Sequence, residues 1–95
     1  MARTPIHPGA ILADEIEARV GLTKTELARL IKVPPGRISE IIAGKRAITA
    51  DTALRLGKFF GTEPEFWLNL QRSYELRVAR NALGPELEQI PVHAG

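Results

Sequence analysis

Five helices and no strand are what this 95-residue sequence predicts, an all-α fold. Three observations carry that expectation. Apolar residues recur at helical spacing from Leu12 to Val78. Residues that open and close helices punctuate the pattern: Thr23 with Glu26, Thr49, and Thr62 with Glu65 as starts, and Gly21, Gly44, Gly61 and Gly84 as stops. Residues 23–46, TKTELARLIKVPPGRISEIIAGKR, read as two short amphipathic helices joined by a tight turn with a basic exit. No strand-rich segment, internal repeat or low-complexity tract interrupts them.

Residues 1–7 are expected to form a flexible arm, after which Pro8 and Gly9 open the first helix. Leu12, Ile16 and Val20 repeat along one of its faces, and Gly21 suits a left-handed cap. Thr23 and Glu26, three apart, form the capping-box pattern of the second helix, with Leu27, Ala28, Leu30 and Ile31 as its buried stripe. Val33-Pro34-Pro35 stops it, because proline lacks an amide donor and turns the preceding residue away from helical angles. The same prolines suit the first turn of a third helix. Ile38, Ile41 and Ile42 give that helix its apolar face, and Gly44 closes it.

Thr49 or Asp51 caps the fourth helix, whose Ala53, Leu56 and Phe60 face the core before Gly61. Thr62 with Glu65, and Pro64 in the first turn, open a longer fifth helix. It carries Phe66, Trp67, Leu70, Tyr74 and Val78. Gly84-Pro85 ends it. The expected domain therefore spans residues 8–83, and residues 84–95 form a tail that is either extended or frayed.

Composition narrows the function classes. The length suits one compact domain. Without cysteine there are no disulfides and no thiolate metal sites. His7 and His93 lack any paired spacing, and Ser39 and Ser73 lack a nucleophile signature, so no catalytic set, metal or cofactor is expected. The opening MARTPIHPGAIL lacks the apolar region of a signal peptide, and no apolar run approaches the roughly 20 residues that cross a bilayer. A cytoplasmic protein with no membrane partner is expected. Charge is unevenly placed: residues 1–46 carry eight Lys or Arg against five Asp or Glu, and residues 47–95 carry five against six. The basic half is the half with the two short helices, as phosphate binding needs.

A helix that enters a DNA groove must bury one face and offer the other. On a wheel of about 100° per residue, Ile38, Ile41 and Ile42 cluster, and Gly36, Glu40 and Ala43 lie opposite, flanked by Arg37 and Ser39. Arg37 can bond guanine or phosphate, Glu40 can accept from the amino group of cytosine, and Ser39 suits base or backbone. Thr23, Lys24 and Thr25 lie at the positive end of the second helix, and Lys45 and Arg46 follow the third, where a phosphate backbone passes.

PIHPGAIL, LARLIKVPPGRISEIIAGKRAITADTALRLGKFFG and TEPEFWLNLQ closely resemble the HigA-type antitoxins of the Cro/C1-like (XRE) helix-turn-helix superfamily, across residues 5–80. The resemblance implies a five-helix, lambda repressor-like DNA-binding domain. It also implies a homodimer that represses its own operon at double-stranded operator DNA and neutralises a small RelE-like, mRNA-cleaving toxin. The family's joining through the C-terminal helix makes Leu70, Tyr74 and Val78 the interface candidates, with Phe66 and Trp67 assigned to the core. Arg37, Ser39 and Glu40 fall in the recognition helix, and Lys45 and Arg46 after it. Pro35 and Gly36 depart from the Arg-Asn pair frequent at that helix start, which leaves the operator sequence open. A free-standing repressor without a toxin is the alternative.

Overall fold

The computed structural model describes residues 4–93 and contains, in order, α1 (Pro8–Glu17), α2 (Lys24–Leu30), α3 (Arg37–Ile42), α4 (Ala50–Phe60), α5 (Pro64–Leu83) and α6 (Pro85–Glu88). The first four or so amides of a helix lack internal partners, so starts are set by nearby acceptors. His7 Nδ1 accepts from the Gly9 amide at 2.9 Å, and Thr23 Oγ1 from the Glu26 amide at 3.0 Å. Thr49 Oγ1 accepts from the Thr52 amide at 3.4 Å. The stops of α2, α3 and α4 are set by left-handed residues, Lys32, Gly44 and Gly61. At Gly44 (φ 76°) the Lys45 amide reaches back to the Glu40 carbonyl at 2.9 Å and the Gly44 amide to that of Ile41 at 3.0 Å.

The turn after α2 uses the same pair of bonds around a residue that is not glycine. Lys32 has φ 63°, with Val33 donating to the Ala28 carbonyl at 3.0 Å and Lys32 to that of Arg29 at 3.2 Å. A side chain in this region costs on the order of 1 kcal/mol. Arg55 of α4 holds the turn in place: its guanidinium donates to the carbonyls of Ile31 at 2.9 Å and Lys32 at 3.3 Å, and pairs with Asp51 at 2.7 Å.

One apolar core serves all of α1 to α5. Leu12, Leu27, Ala28, Ile38, Ile41, Ala53, Leu56 and Trp67 are fully buried, with Ile16, Ile31 and Ile48 nearly so. Two helix pairs touch backbone to backbone. A Cβ on Gly9 would stand 2.1 Å from the Ile41 carbonyl oxygen, and one on Gly57 would stand 2.7 Å from that of Thr62. Trp67 donates its indole N–H to Thr62 Oγ1 at 3.0 Å. Buried Gln71 accepts the Ile48 amide at 2.8 Å, which ties the segment after α3 to α5.

Beyond Tyr74 the fifth helix leaves the core. Leu76, Val78 and Leu83 are exposed, and the radius of gyration of 16.3 Å exceeds the roughly 13 Å of a compact domain this long.

Several sequence expectations change. α1 stops at Glu17, so Val20 lies past the helix and is wholly exposed, while Gly21 (φ 82°) belongs to the turn and not to the cap. Leu30 points outward with Leu54 and Phe59 instead of joining the stripe of α2. Pro34 and Pro35 precede α3, which begins at Arg37 with Gly36 as its N-cap. The spacing of Thr62 and Glu65 is not a capping box: Glu63 is the N-cap, without a side-chain bond, and the Thr62 hydroxyl serves Trp67 instead. Phe66 packs edge-on against Trp67 but stays 42% exposed. The tail opens with the short helix α6. The expected arm begins with residues 1–3 and the tail ends with residues 94–95, which lie outside the described residues.

Two outcomes follow for stability. Gly9→Ala forces α1 from α3 and should cost about 1–3 kcal/mol, read by chemical denaturation. His7 is held neutral by partial burial, which lowers its pKa from the ordinary 6.5. The folded state therefore binds its proton less readily than the unfolded chain. Its contribution is complete above pH 6.5 and declines as pH falls toward the lowered folded value, where protonation removes the Nδ1 acceptor of the cap. His7→Asn keeps an acceptor that does not titrate, so it should flatten the fall in melting temperature between about pH 7 and pH 5. An unchanged slope would remove His7 as its source.

Candidate nucleic-acid interface

The second and third helices form a unit whose inner sides are apolar and whose outer sides are open. Leu27 and Ala28 of α2 pack with Ile38 and Ile41 of α3, and Ile42 covers their edge. What remains outward on and around α3 is Gly36, Ser39, Ala43, Lys45 and Arg46, all exposed, with Arg37 and Glu40 half-buried. Thr23, Lys24 and Thr25 are exposed at the start of α2. The structure thus brings α3 and its basic exit onto one short helical unit with the α2 start. Pro35 lies just before α3 and is exposed.

Arg37 has a feature that the sequence alone does not disclose. Its Nε is buried and, among the described residues, is the one buried side-chain nitrogen or oxygen with no hydrogen-bond partner. An unmet buried donor costs on the order of 1–3 kcal/mol. Its charge also reaches Asp51, whose carboxyl is held below the usual range first by the bond to Arg55, with the Arg37 charge a smaller cause. Arg37 is therefore a half-buried cation at the start of α3 with no carboxylate bond among the described residues.

Glu40 finds the donor that a carboxylate beside phosphates needs. Its Oε1 accepts from Arg46 Nε at 3.2 Å, so the acid of the helix is matched to the second cation of its exit. Such an exposed pair contributes about 0–1 kcal/mol, little enough for a phosphate to displace it. Lys45 and Lys24 have no carboxylate partner among the described residues. Arg55 is the residue that sequence reasoning missed. Its part is to fix the turn between the two helices, and its only sequence signal was an Asp51 four residues before it.

Among the described residues no group of three His, Asp or Glu side chains is placed to hold a metal ion, and no helix is long and apolar enough to cross a membrane. Two short helices held at a fixed angle, with a solvent-facing second helix and a basic exit, define a helix-turn-helix domain.

The comparisons agree with that class. A helix-turn-helix family model (HTH_3) matches residues 14–67, and the chain belongs to this family, of the XRE or Cro/C1 type. Its close structural neighbours are HigA-family antitoxins. An addiction module antidote protein of the HigA family from Coxiella burnetii superposes with a TM-score of 0.90 at 46% identity, over 96% of this chain and 99% of that one. The Pseudomonas aeruginosa antitoxin HigA, solved with the higBA promoter, gives 0.86 at 39% identity over 97% of this chain and 100% of that one. Virulence-associated protein I of Dichelobacter nodosus is 49% identical over 74 residues, 78% of this chain and 68% of that protein.

The Glu40–Arg46 pair makes a direct prediction. If DNA takes Arg46 from Glu40, Arg46→Ala should lower the slope of log affinity against log salt by about one. An unchanged slope would mean that Arg46 stays with Glu40 on DNA.

Proposed function

We propose that this protein is an antitoxin that represses its own operon as a dimer and neutralises a small RelE-like, mRNA-cleaving toxin. The observation that carries the DNA half of this reading is the outward face of α3, where Ser39, Lys45 and Arg46 are exposed and Lys45 has no carboxylate partner among the described residues. It is supported by the HigA relative solved on promoter DNA. The toxin half rests on the HigA relatives and on the sequence resemblance.

In this reading α3 enters the major groove. Arg37 and Ser39 contact bases or the flanking phosphates, Glu40 exchanges Arg46 for a cytosine amino group, and Pro35 and Gly36 let the backbone approach closely. Thr23, Lys24 and Thr25 at the start of α2, with Lys45 and Arg46 after α3, hold phosphates on either side. Two copies related by a two-fold axis set their recognition helices about 34–36 Å apart, one turn of DNA. The dimer forms through α5, where Leu70 and Tyr74 border a groove and Val78 is exposed beyond it.

The test is operator binding by fluorescence anisotropy on DNA from upstream of the gene, with a scrambled duplex as control. Arg37→Ala should cost about 1–3 kcal/mol on the operator. No preference of the unmodified protein for the operator would sink the repressor reading. Co-expression with the adjacent reading frame tests the rest. Growth rescue and co-purification are expected, and failure of both would leave the free-standing repressor.

A further inference from the structure

Two apolar surfaces are left open on one chain, and they match. The first is a groove of about 550 Å³ between the segment before α1 and the side of α5. Ile6, Pro8, Ile11, Leu70 and Tyr74 line it, with Arg77 as its cation. The second is the far end of the molecule, where Leu83, Leu87 and Ile90 are exposed. Beyond Arg80 the chain has two acids, Glu86 and Glu88, and no Lys or Arg.

The distal half of α5 is apolar on two sides. At about 100° per residue, Leu76 and Leu83, with Ala79 between them, lie roughly opposite Tyr74 and Val78. A helix with two apolar sides is stable when both are covered. Pairing two copies of α5 along Leu70, Tyr74 and Val78 covers one of them. An antiparallel pair crossing at Val78 sets Leu83, the last residue of α5, beside Ser73 of the other copy, a residue of the groove, so that the turn at Gly84 and α6 set out from its mouth. The groove offers a cation where the arriving segment is acidic.

We infer that the groove between residues 4–11 and α5 is the seat for residues 83–90 of a second copy. This rests on the dimer proposed above and adds to it the contact that completes it. Leu83, Leu87 and Ile90 fill the apolar floor, and Arg77 faces Glu86 or Glu88. The seated segment touches Tyr74, whose ring lies edge-on to His7 at 4.7 Å. His7 caps α1, and Gly9 of that helix abuts Ile41 of α3. Closing the dimer thus braces the recognition helix from behind.

The chain has no cysteine, so a pair can be introduced cleanly. One tagged full-length chain carries Ile6→Cys and a differently tagged one carries Leu87→Cys, and the two are co-expressed and mildly oxidised. A disulfide joining the two tags is expected. In parallel Leu87→Glu, at a side chain exposed in the single chain, should raise the dimer dissociation constant about tenfold or more with helix content unchanged. Sedimentation showing a dimer without the mixed disulfide, or with Leu87→Glu as tight as the parent, overturns the seat and leaves the α5 dimer standing. A parent protein that is monomeric throughout overturns both.

Discussion

The surface that faces nucleic acid depends on the absence of a side chain at Gly9. The recognition helix α3 is six residues long, too short to be stable or oriented by its own hydrogen bonds. It is positioned by what it touches. On one side Ile38 and Ile41 lock into the core, and at its end the backbone of Ile41 and Ile42 rests against Gly9 so closely that a methyl group would collide. The same end carries the Gly44 turn that aims Lys45 and Arg46. Angle and phosphate anchors are therefore set together by α1, which forms no part of the helix-turn-helix itself.

Charge is divided along the same lines. Arg19, Arg29 and Arg55 are engaged within the fold, with Glu15, Glu26 and Asp51 respectively. Arg55 also binds the two carbonyls of the turn, and so compensates the left-handed Lys32 that joins α2 to α3. Placing a non-glycine there is tolerable because a cation from α4 meets the carbonyls that the turn exposes. Of the cations at the candidate interface, Lys24, Arg37 and Lys45 have no carboxylate bond among the described residues, and the same is true of Lys32, Lys58, Arg72, Arg77 and Arg80 elsewhere on the surface. The fold thus divides its cations into those that its own carboxylates engage and those left to solvent or a ligand.

That division marks what was legible in the sequence. Caps made by nearest neighbours could be read: Thr23 with Glu26, Thr49 before α4, and glycines at Gly44 and Gly61 are local chemistry with fixed spacing. Features that depend on distant partners could not. The Thr62 hydroxyl has the spacing of a cap yet goes to Trp67, because a buried indole N–H needs an acceptor more than an exposed helix start does. Val20 fits the apolar repeat of α1 but lies inside the turn from Arg19 to Leu22 that follows the helix. His7 shows no paired spacing in the sequence, yet its Nδ1 caps α1. Of the interface, the faces of α3 were legible from periodicity, whereas the pairing of Glu40 with Arg46 and the unmet Nε of Arg37 needed three dimensions.

That pairing narrows what one recognition helix can read. Glu40 has to give up Arg46 before it can read a cytosine, so base reading rests chiefly on Arg37 and Ser39, and each good base contact discriminates by about 1–3 kcal/mol. Specific binders commonly exceed their own non-specific affinity by roughly 4–10 kcal/mol. One copy of α3 reaches the lower part of that range at best, and in the proposed dimer a second half-site doubles the discrimination. A rigid spacing between two recognition helices then matters as much as any base contact, because a loosely joined pair would gain avidity without register. The long, doubly apolar end of α5 is the element able to supply that rigidity. In the proposed dimer its apolar side chains, exposed in the single chain, become the link between two reading surfaces.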